Sequence, residues 1–284
     1  MKFAIINDIH FGPPASGYEK GIQRKLVPEA EKLIKKFIDK MNNQEHPEFV
    51  VNLGDSIEDV NNKIVDAQSF KKVLSLLSPL KIPTYTLIGN HDVRTLTPEA
   101  IARMLDYQQM YYSFDHDSYH FIALSFQIIG DHTHNLADID AIVPEEQIEW
   151  LENDLGKTAK PTIIFSHYGL AEDDMKNNFW FESKPHYALI KNRLDVRKIL
   201  EKSGKVVAVI SGHQHWNRIH VHNNIPYFTV TSLIENFKND GIPAAAYTII
   251  NLNKQQIIVD IQGNDPEKFS FNLTRFSPIW SFIR

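Results

Sequence analysis

The chain has 284 residues, of which 43% are hydrophobic and 23% charged, and its formal net charge is −5. These proportions belong to an ordinary globular protein, and the acidic balance argues against the broad basic face that non-specific binding to a phosphate backbone needs. With no cysteine, disulfides, thiolate metal sites and cysteine nucleophiles are excluded together, so any metal must be held by imidazole, carboxylate or amide oxygen.

A chain of this length can bury a large core as one α/β unit. The apolar run at the amino terminus reaches Asp8 and His10 too soon for a secretory signal. No apolar stretch approaches the roughly 18 residues of a membrane-spanning helix. The expectation is a cytoplasmic protein without a membrane partner.

In chain order, Lys2 to Asn7 reads as a buried strand. Leu26, Ala30, Leu33, Ile34, Phe37, Ile38 and Met41 recur at helical spacing and predict a long helix over one sheet face. Phe49 to Leu53 reads as a strand, Ile64 to Leu77 as a helix, and Thr84 to Ile88 as a third strand. Thr97, Pro98 and Glu99 form a helix start, with a polar cap and a proline in the first turn. From Tyr111 the pattern changes to a hairpin through a polar DHD turn, and Pro144 opens another helix. Thr162 to Phe165, Val206 to Ile210, Arg218 to His222 and Tyr227 to Val230 are further strands, the last two joined through Asn223 and Asn224. Tyr247 to Leu252 and Gln256 to Ile261 make a closing hairpin. Helix-covered strands early and hairpins late predict an α/β fold of two packed sheets with helices outside.

Five short motifs sit where predicted strands run out: Asp8-Ile9-His10, Gly54-Asp55, Gly89-Asn90-His91-Asp92, Ser166-His167 and Gly212-His213-Gln214-His215. The carboxyl ends of strands are where ligand sites gather in open α/β sheets. Residues two apart in extended chain face the same way, so Asp8 and His10 can reach one ion. The mixture of Asp, Asn and His suits manganese, iron or zinc rather than calcium. A carboxylate can bridge two ions about 3.5 to 4 Å apart, and Asp55 is the candidate bridge. The glycines beside Asp55, Asn90 and His213 would permit sharp turns. Each motif alone is weak; their occurrence in order, each after an apolar strand, is what carries weight.

The ordered set DIH, GD, GNHD, SH and GHQH resembles the signature of the calcineurin-like metallophosphoesterases and spans residues 8 to 215. The resemblance implies a four-layer αββα sandwich of two mixed sheets flanked by helices, as a single domain over residues 1–284. It implies two metal ions, one held by Asp8, His10, Asp55 and His215 and the other by Asp55, Asn90, His167 and His213. It also implies that His91 contacts the scissile phosphate and protonates the leaving oxygen, with Asp92 placed to orient it. Two cations would lower the pKa of a shared water, supply hydroxide at neutral pH and neutralise charge on the phosphoryl oxygens.

Three further residues are candidates for substrate binding. Arg94, just past His91, could grip a phosphate oxygen as a bidentate donor. The segment 171–193 carries Phe179, Trp180, Phe181, His186 and Tyr187 between two core strands, and reads either as a lid presenting Trp180 and His186 to a flat group or as a loop anchored by its aromatics. His132 and His134 lie in a polar loop, and His220 and His222 alternate along the outer face of a strand. The expected activity is hydrolysis of a phosphodiester or pyrophosphate in a small nucleotide-like molecule. A phosphomonoesterase, a nuclease, which the net charge disfavours, and an inactive binding scaffold of the same fold are the alternatives.

Overall fold

The computed structural model describes the chain except residues 14–17, 20–21, 24, 130–139, 239–240 and 274–284. In chain order, the strands of the first half are β1 (Lys2–Ile6), β2 (Tyr18–Glu19), β3 (Ile22–Gln23), β4 (Val50–Asn52), β5 (Thr84–Thr86), β6 (Tyr112–His116), β7 (Tyr119–Leu124) and β8 (Gln127–Ile129). The second half supplies β9 (Asp140–Ile142), β10 (Thr162–Ser166), β11 (Val206–Ser211), β12 (Arg218–His222), β13 (Ile225–Thr229), β14 (Tyr247–Leu252), β15 (Gln256–Gln262) and β16 (Glu267–Asn272). The helices are α1 (Ala30–Lys40), α2 (Lys63–Leu77), α3 (Pro98–Leu105), α4 (Glu145–Lys157) and α5 (Arg193–Ser203).

Two six-stranded mixed sheets form the centre, one ordered β16-β15-β14-β1-β4-β5 and the other β12-β13-β11-β10-β7-β6. Period-two alternation explains how they face each other. Phe3 and Ile5 of β1 point to the same buried cluster as Phe121, Phe165 and Ile210 of the other sheet, while Ala4 and Ile6 point to the outer cluster with Leu33, Ile34 and Phe37 of α1. Both faces are covered, so these strands are continuous apolar runs without polar alternation. Phe3 stacks on Phe49 at 4.9 Å and meets Phe121 and Phe165 edge-on at 5.7 and 5.9 Å, which ties the two sheets together. Helices α1 and α2 pack together, as do α4 and α5. Phe37 of α1 meets Tyr247 of β14, and α5 lies on β11, which makes the four-layer sandwich that was expected.

The predicted caps form: Thr97 Oγ1 accepts from Ala100 N at 3.2 Å, and Asn223 and Asn224 both take the left-handed conformation that a two-residue hairpin turn demands. Three features were not foreseen. Helix α5 shows only a weak apolar stripe, burying Val196 and Leu200 but exposing Leu194. Strand β16 is a half-exposed edge, and β8 with β9 is a two-stranded pair outside the main sheets. His132 and His134 lie outside the described residues.

What positions the site is direction. Strands β1, β4 and β5 run parallel in one sheet, and β7, β10, β11 and β13 run parallel in the other. The loops that follow β1, β4, β5, β10 and β11 carry all five motifs and converge at one end of the sandwich.

Candidate metal centre

Two buried donor groups occupy that end. One ligand atom each from Asp8, His10, Asp55 and His215 lies within 4.8 Å of the others, and the same holds for Asp55, His167 and His213. Asp55 belongs to both groups. His10 Nε2 is 3.1 Å from His215 Nε2, His215 Nε2 is 3.4 Å from Asp8 Oδ1, and His10 Nε2 is 3.8 Å from Asp55 Oδ2. In the second group His167 Nε2 is 3.5 Å from Asp55 Oδ2 and 3.2 Å from Asn90 Oδ1. Donors about 2.0 to 2.2 Å from one ion are themselves spaced by roughly 3 to 4 Å.

The loops are held in an unusual backbone state. Asp8, His10, Asp55, His213 and His215 all have positive φ, between 46° and 65°. For residues other than glycine this costs of order 1–3 kcal/mol each and persists only where the surroundings over-determine it. Here they do: Asp8 N donates to Gly54 O and His10 N to Asp55 O, each at 3.0 Å, while Gly212 N donates to His167 O at 3.1 Å and His91 N to Asp55 Oδ1 at 2.8 Å. Only one motif glycine acts as a turn residue, Gly54 with φ of 104°. Gly89 and Gly212 serve close approach instead. A Cβ on Gly89 would lie 2.1 Å from Asp55 Oδ1, and one on Gly212 would lie 2.8 Å from Asp8 Oδ2.

Three of the four histidines are fixed by an acceptor behind them. His167 Nδ1 donates to Leu53 O at 3.0 Å, His213 Nε2 to Tyr187 O at 2.8 Å, and His215 Nδ1 to Glu235 Oε2. His10 Nδ1 lies 2.9 Å from Glu58 Oε2. With one nitrogen committed as donor, the other offers its lone pair to the cluster, the arrangement seen when histidine ligates a metal. It leaves His10 Nε2 facing His215 Nε2, and His167 Nε2 facing Asn90 Oδ1. Acceptors at such distances repel unless a proton or a cation sits between them.

The electrostatics make the same demand. Burial works against charge on His215, yet the carboxylates of Asp8 and Glu235 push it up to about 10. Burial would raise the Asp8 carboxyl, but the His215 charge and hydrogen bond outweigh it and hold Asp8 at about 2. Burial keeps His10 and His213 neutral, at about 4 and about 3, with Lys25 adding to the effect on His10 and His167 to that on His213. Fully buried carboxylates that need a positive partner, with neutral imidazoles at His10 and His213, fit a pair of divalent ions, which would take the place of the proton on His215.

His91 lies beside this cluster, its ring 4.8 Å from that of His10. Asp92 does not orient it. Both Asp92 oxygens accept backbone N–H groups, from Ile57 at 3.1 Å and Gly89 at 2.9 Å, so Asp92 fastens one loop to the other; burial and the nearby Asp55 push it up to about 8. The partner of His91 Nδ1 is Asp59, at 2.7 Å, and its Nε2 lies 2.8 Å from Lys25 Nζ. Buried Asp66 clamps both flanking loops through Val60 N at 3.0 Å and Thr95 Oγ1 at 2.6 Å.

A cavity of about 460 Å³ opens over the cluster. Arg94 and Trp180 line it, together with Lys25, Tyr168, Phe181 and Lys184. His186 does not line it: it is exposed and rests on the Tyr187 ring at 4.1 Å. Arg94 Nη1 lies 3.6 Å from Asp59 Oδ2. The aromatics of segment 171–193 divide their tasks. Phe181 packs on His213 at 5.0 Å and Trp180 Nε1 donates to Glu235 at 2.8 Å, while Phe179 turns toward Phe237. Buried Asn178 anchors the turn by accepting from Trp180 N and Phe181 N and donating to Gln214 O. His220 is paired with Asp173 at 2.7 Å, away from the centre.

Sequence reading missed Lys25, Glu58, Asp59 and Glu235, and also Asn7, whose Nδ2 donates to Asp8 Oδ2. Glu58 and Asp59 follow Gly54-Asp55 in one acidic run, a signal that was available; Glu235 and Lys25 sit in stretches with no motif at all.

Comparison with known proteins places the fold and the family. The chain is similar in structure to a dimetal phosphatase from Danio rerio (TM-score 0.77, 15% identity, 96% of this chain and 99% of that one). It is also similar to GAP50, the anchor in the inner membrane complex of Plasmodium (TM-score 0.60, 15% identity, covering 96% and 88%). A third likeness is to the phosphopantetheinyl hydrolase of Mycobacterium tuberculosis (TM-score 0.51, 11% identity, covering 81% and 89%). At these identities the likeness is one of fold. A sequence comparison with the curated proteins finds no match. The profile of one family, described as calcineurin-like phosphoesterase, matches residues 1–217, and with three quarters of its length and every motif inside that match, the chain belongs to the calcineurin-like phosphoesterase family.

Proposed function

We propose that this phosphoester hydrolase cuts a phosphodiester or pyrophosphate bond in a small nucleotide-like substrate. One observation carries the reading: two buried donor groups sharing Asp55 open onto a cavity of about 460 Å³ whose remaining walls carry aromatic and cationic side chains beside the aliphatic Val93, Ile128 and Ala141. That size suits a nucleotide-scale ligand. In this reading Asp8, His10, Asp55 and His215 hold one ion, and Asp55, Asn90, His167 and His213 the other. Oxygen and imidazole donors favour manganese, iron or zinc. Bound there, two divalent ions would neutralise phosphoryl charge and lower the pKa of a shared water.

The chain's own groups do the rest. Glu235, Leu53 O and Tyr187 O fix the ring orientations of His215, His167 and His213, and Glu58 sets its carboxylate beside His10. His91, held by Asp59 through Nδ1, presents Nε2 to the substrate as the group that passes a proton to the leaving oxygen. Trp180 and Phe181 offer flat faces to a base and exclude water. Residues 1–284 act as one domain, with 171–193 as the lid. The presence of every donor and of His91 argues against an inactive scaffold.

No helix among the described residues is long and apolar enough to cross a membrane. The acidic balance disfavours nucleic acid as a partner, and we place the protein in the cytoplasm. Steady-state assays in manganese test the reading, comparing bis-p-nitrophenyl phosphate with p-nitrophenyl phosphate and followed by a nucleotide panel. Preference for the diester supports it; turnover of the monoester alone makes the protein a phosphomonoesterase.

A further inference from the structure

Among the described residues Lys25 is the cation closest to the proposed leaving-group side of the site, and no sequence motif accounts for it. Its ammonium lies 2.8 Å from His91 Nε2, 3.1 and 3.3 Å from the two Glu58 oxygens, and 5.8 Å from the centre of the Trp180 ring. The side chain is only 15% exposed and lines the same cavity as Arg94. Because Asp59 takes the Nδ1 proton of His91, Nε2 is an acceptor in this state, and the ammonium occupies the space where a leaving oxygen would meet that nitrogen. Arg94, 3.6 Å from Asp59, borders the same dyad. An alcohol leaving group offers these two cations a single oxygen, on which charge develops only as the bond breaks. A leaving group with negative charge of its own beside the scissile bond would gain from both.

Resting on the phosphoesterase reading above, we propose that Lys25 grips the leaving half of a pyrophosphate, so that the bond this site cuts best is P–O–P. Water oxygen bonds to one phosphorus, and the bond from that phosphorus to the bridging oxygen breaks with its electron pair on the other phosphate. The two protons of the water pass to solvent or stay on the products, which are two phosphate monoesters. A departing phosphate monoester, with a second ionisation near pH 6, leaves without a proton and needs a neighbouring cation more than an acid. That is what an ammonium seated on Nε2 supplies.

The test uses the full chain loaded with manganese and three probes: diadenosine pyrophosphate, the phosphodiester adenylyl-adenosine, and bis-p-nitrophenyl phosphate. The wild type should have its highest kcat/KM on the pyrophosphate among the two adenosine probes. Lys25→Met should lose about 10- to 100-fold more kcat/KM on diadenosine pyrophosphate than on bis-p-nitrophenyl phosphate, the worth of one charge-assisted hydrogen bond. Lys25→Arg should recover most of that difference, which a loss through misfolding would not allow. Equal losses on all probes, or a Lys25→Met protein that binds fewer manganese ions, would make Lys25 a counter-charge for Glu58 and overturn the proposal. A wild type that cuts bis-p-nitrophenyl phosphate but does not prefer the pyrophosphate removes the proposal and spares the phosphoesterase reading. A metal-loaded wild type that cuts no probe removes both.

Discussion

Gly89 offers a sharp test of how the centre is built. A Cβ there would lie 2.1 Å from Asp55 Oδ1, 2.2 Å from Asp55 N and 2.6 Å from Asp55 Cγ, where ordinary contact begins at 3.4 Å. The backbone nitrogen cannot rotate away as a flexible side chain would, so in Gly89→Ala the Asp55 turn must retreat by about 1 Å, an overpacking that costs about 1–3 kcal/mol. A metal site tolerates ligand displacements of only about 0.2 Å. We therefore expect manganese affinity to fall by about 10- to 100-fold or more, on the scale seen when the supports of a ligand are removed. Gly156→Ala is the matched control, since its Cβ meets nothing within 4 Å and it lies in α4, where alanine should stabilise by up to about 1 kcal/mol. Urea unfolding in a chelator reads the first effect, and calorimetric titration with manganese reads the second. A Gly89→Ala protein with the wild-type urea midpoint and wild-type manganese affinity would refute the claim that this close approach locks Asp55.

Other substitutions separate the proposed roles. Asp55→Ala should leave fewer than two ions per chain after dialysis, because Asp55 belongs to both donor groups, whereas His10→Ala should weaken chiefly one; two ions and normal turnover in Asp55→Ala would end the bridging assignment. His91→Ala should keep its metals and lose about 10²- to 10⁴-fold in rate, less on a nitrophenolate leaving group than on an alkoxide. Metal lost together with rate would place His91 among the ligands. His120 sits between Asp154 at 2.8 Å and Asp115 at 2.7 Å, and although its burial opposes charge, these carboxylates raise it above its ordinary value. A raised folded pKa stabilises fully below the unfolded value of about 6.5 and is lost as pH climbs through the folded one, so the destabilisation caused by His120→Gln should be large near pH 6 and shrink toward about pH 9. Urea midpoints at the two pH values check this, and a gap that stayed constant or widened would mean the ion pairs are not what His120 contributes.

Much of this protein is legible in its sequence because the relevant physics is local. Strands buried on both faces must be apolar throughout, so β1, β7, β10 and β11 announce themselves, and polar motifs stand out against such runs where each strand ends. Donor chemistry is likewise a property of residue type, which is why Asp8, His10, Asp55, Asn90, His167, His213 and His215 could be named as one set before their distances were known. Edge strand β16 and helix α5 were less visible, since half-exposed elements carry a weak periodic signal. The supports of the site were invisible for a different reason. That Asp59 rather than Asp92 holds His91, that Glu235 stands behind His215, that Lys25 reaches His91 across 66 positions of sequence, and that His186 points to solvent depend on how separate loops meet. The left-handed backbone of five donor residues belongs to the same class. Sequence alone determined the residues able to bind metal and the strand ends that carry them; their pairing, strain and orientation were decided by tertiary contacts, because a hydrogen bond between distant loops leaves no periodic trace in either one.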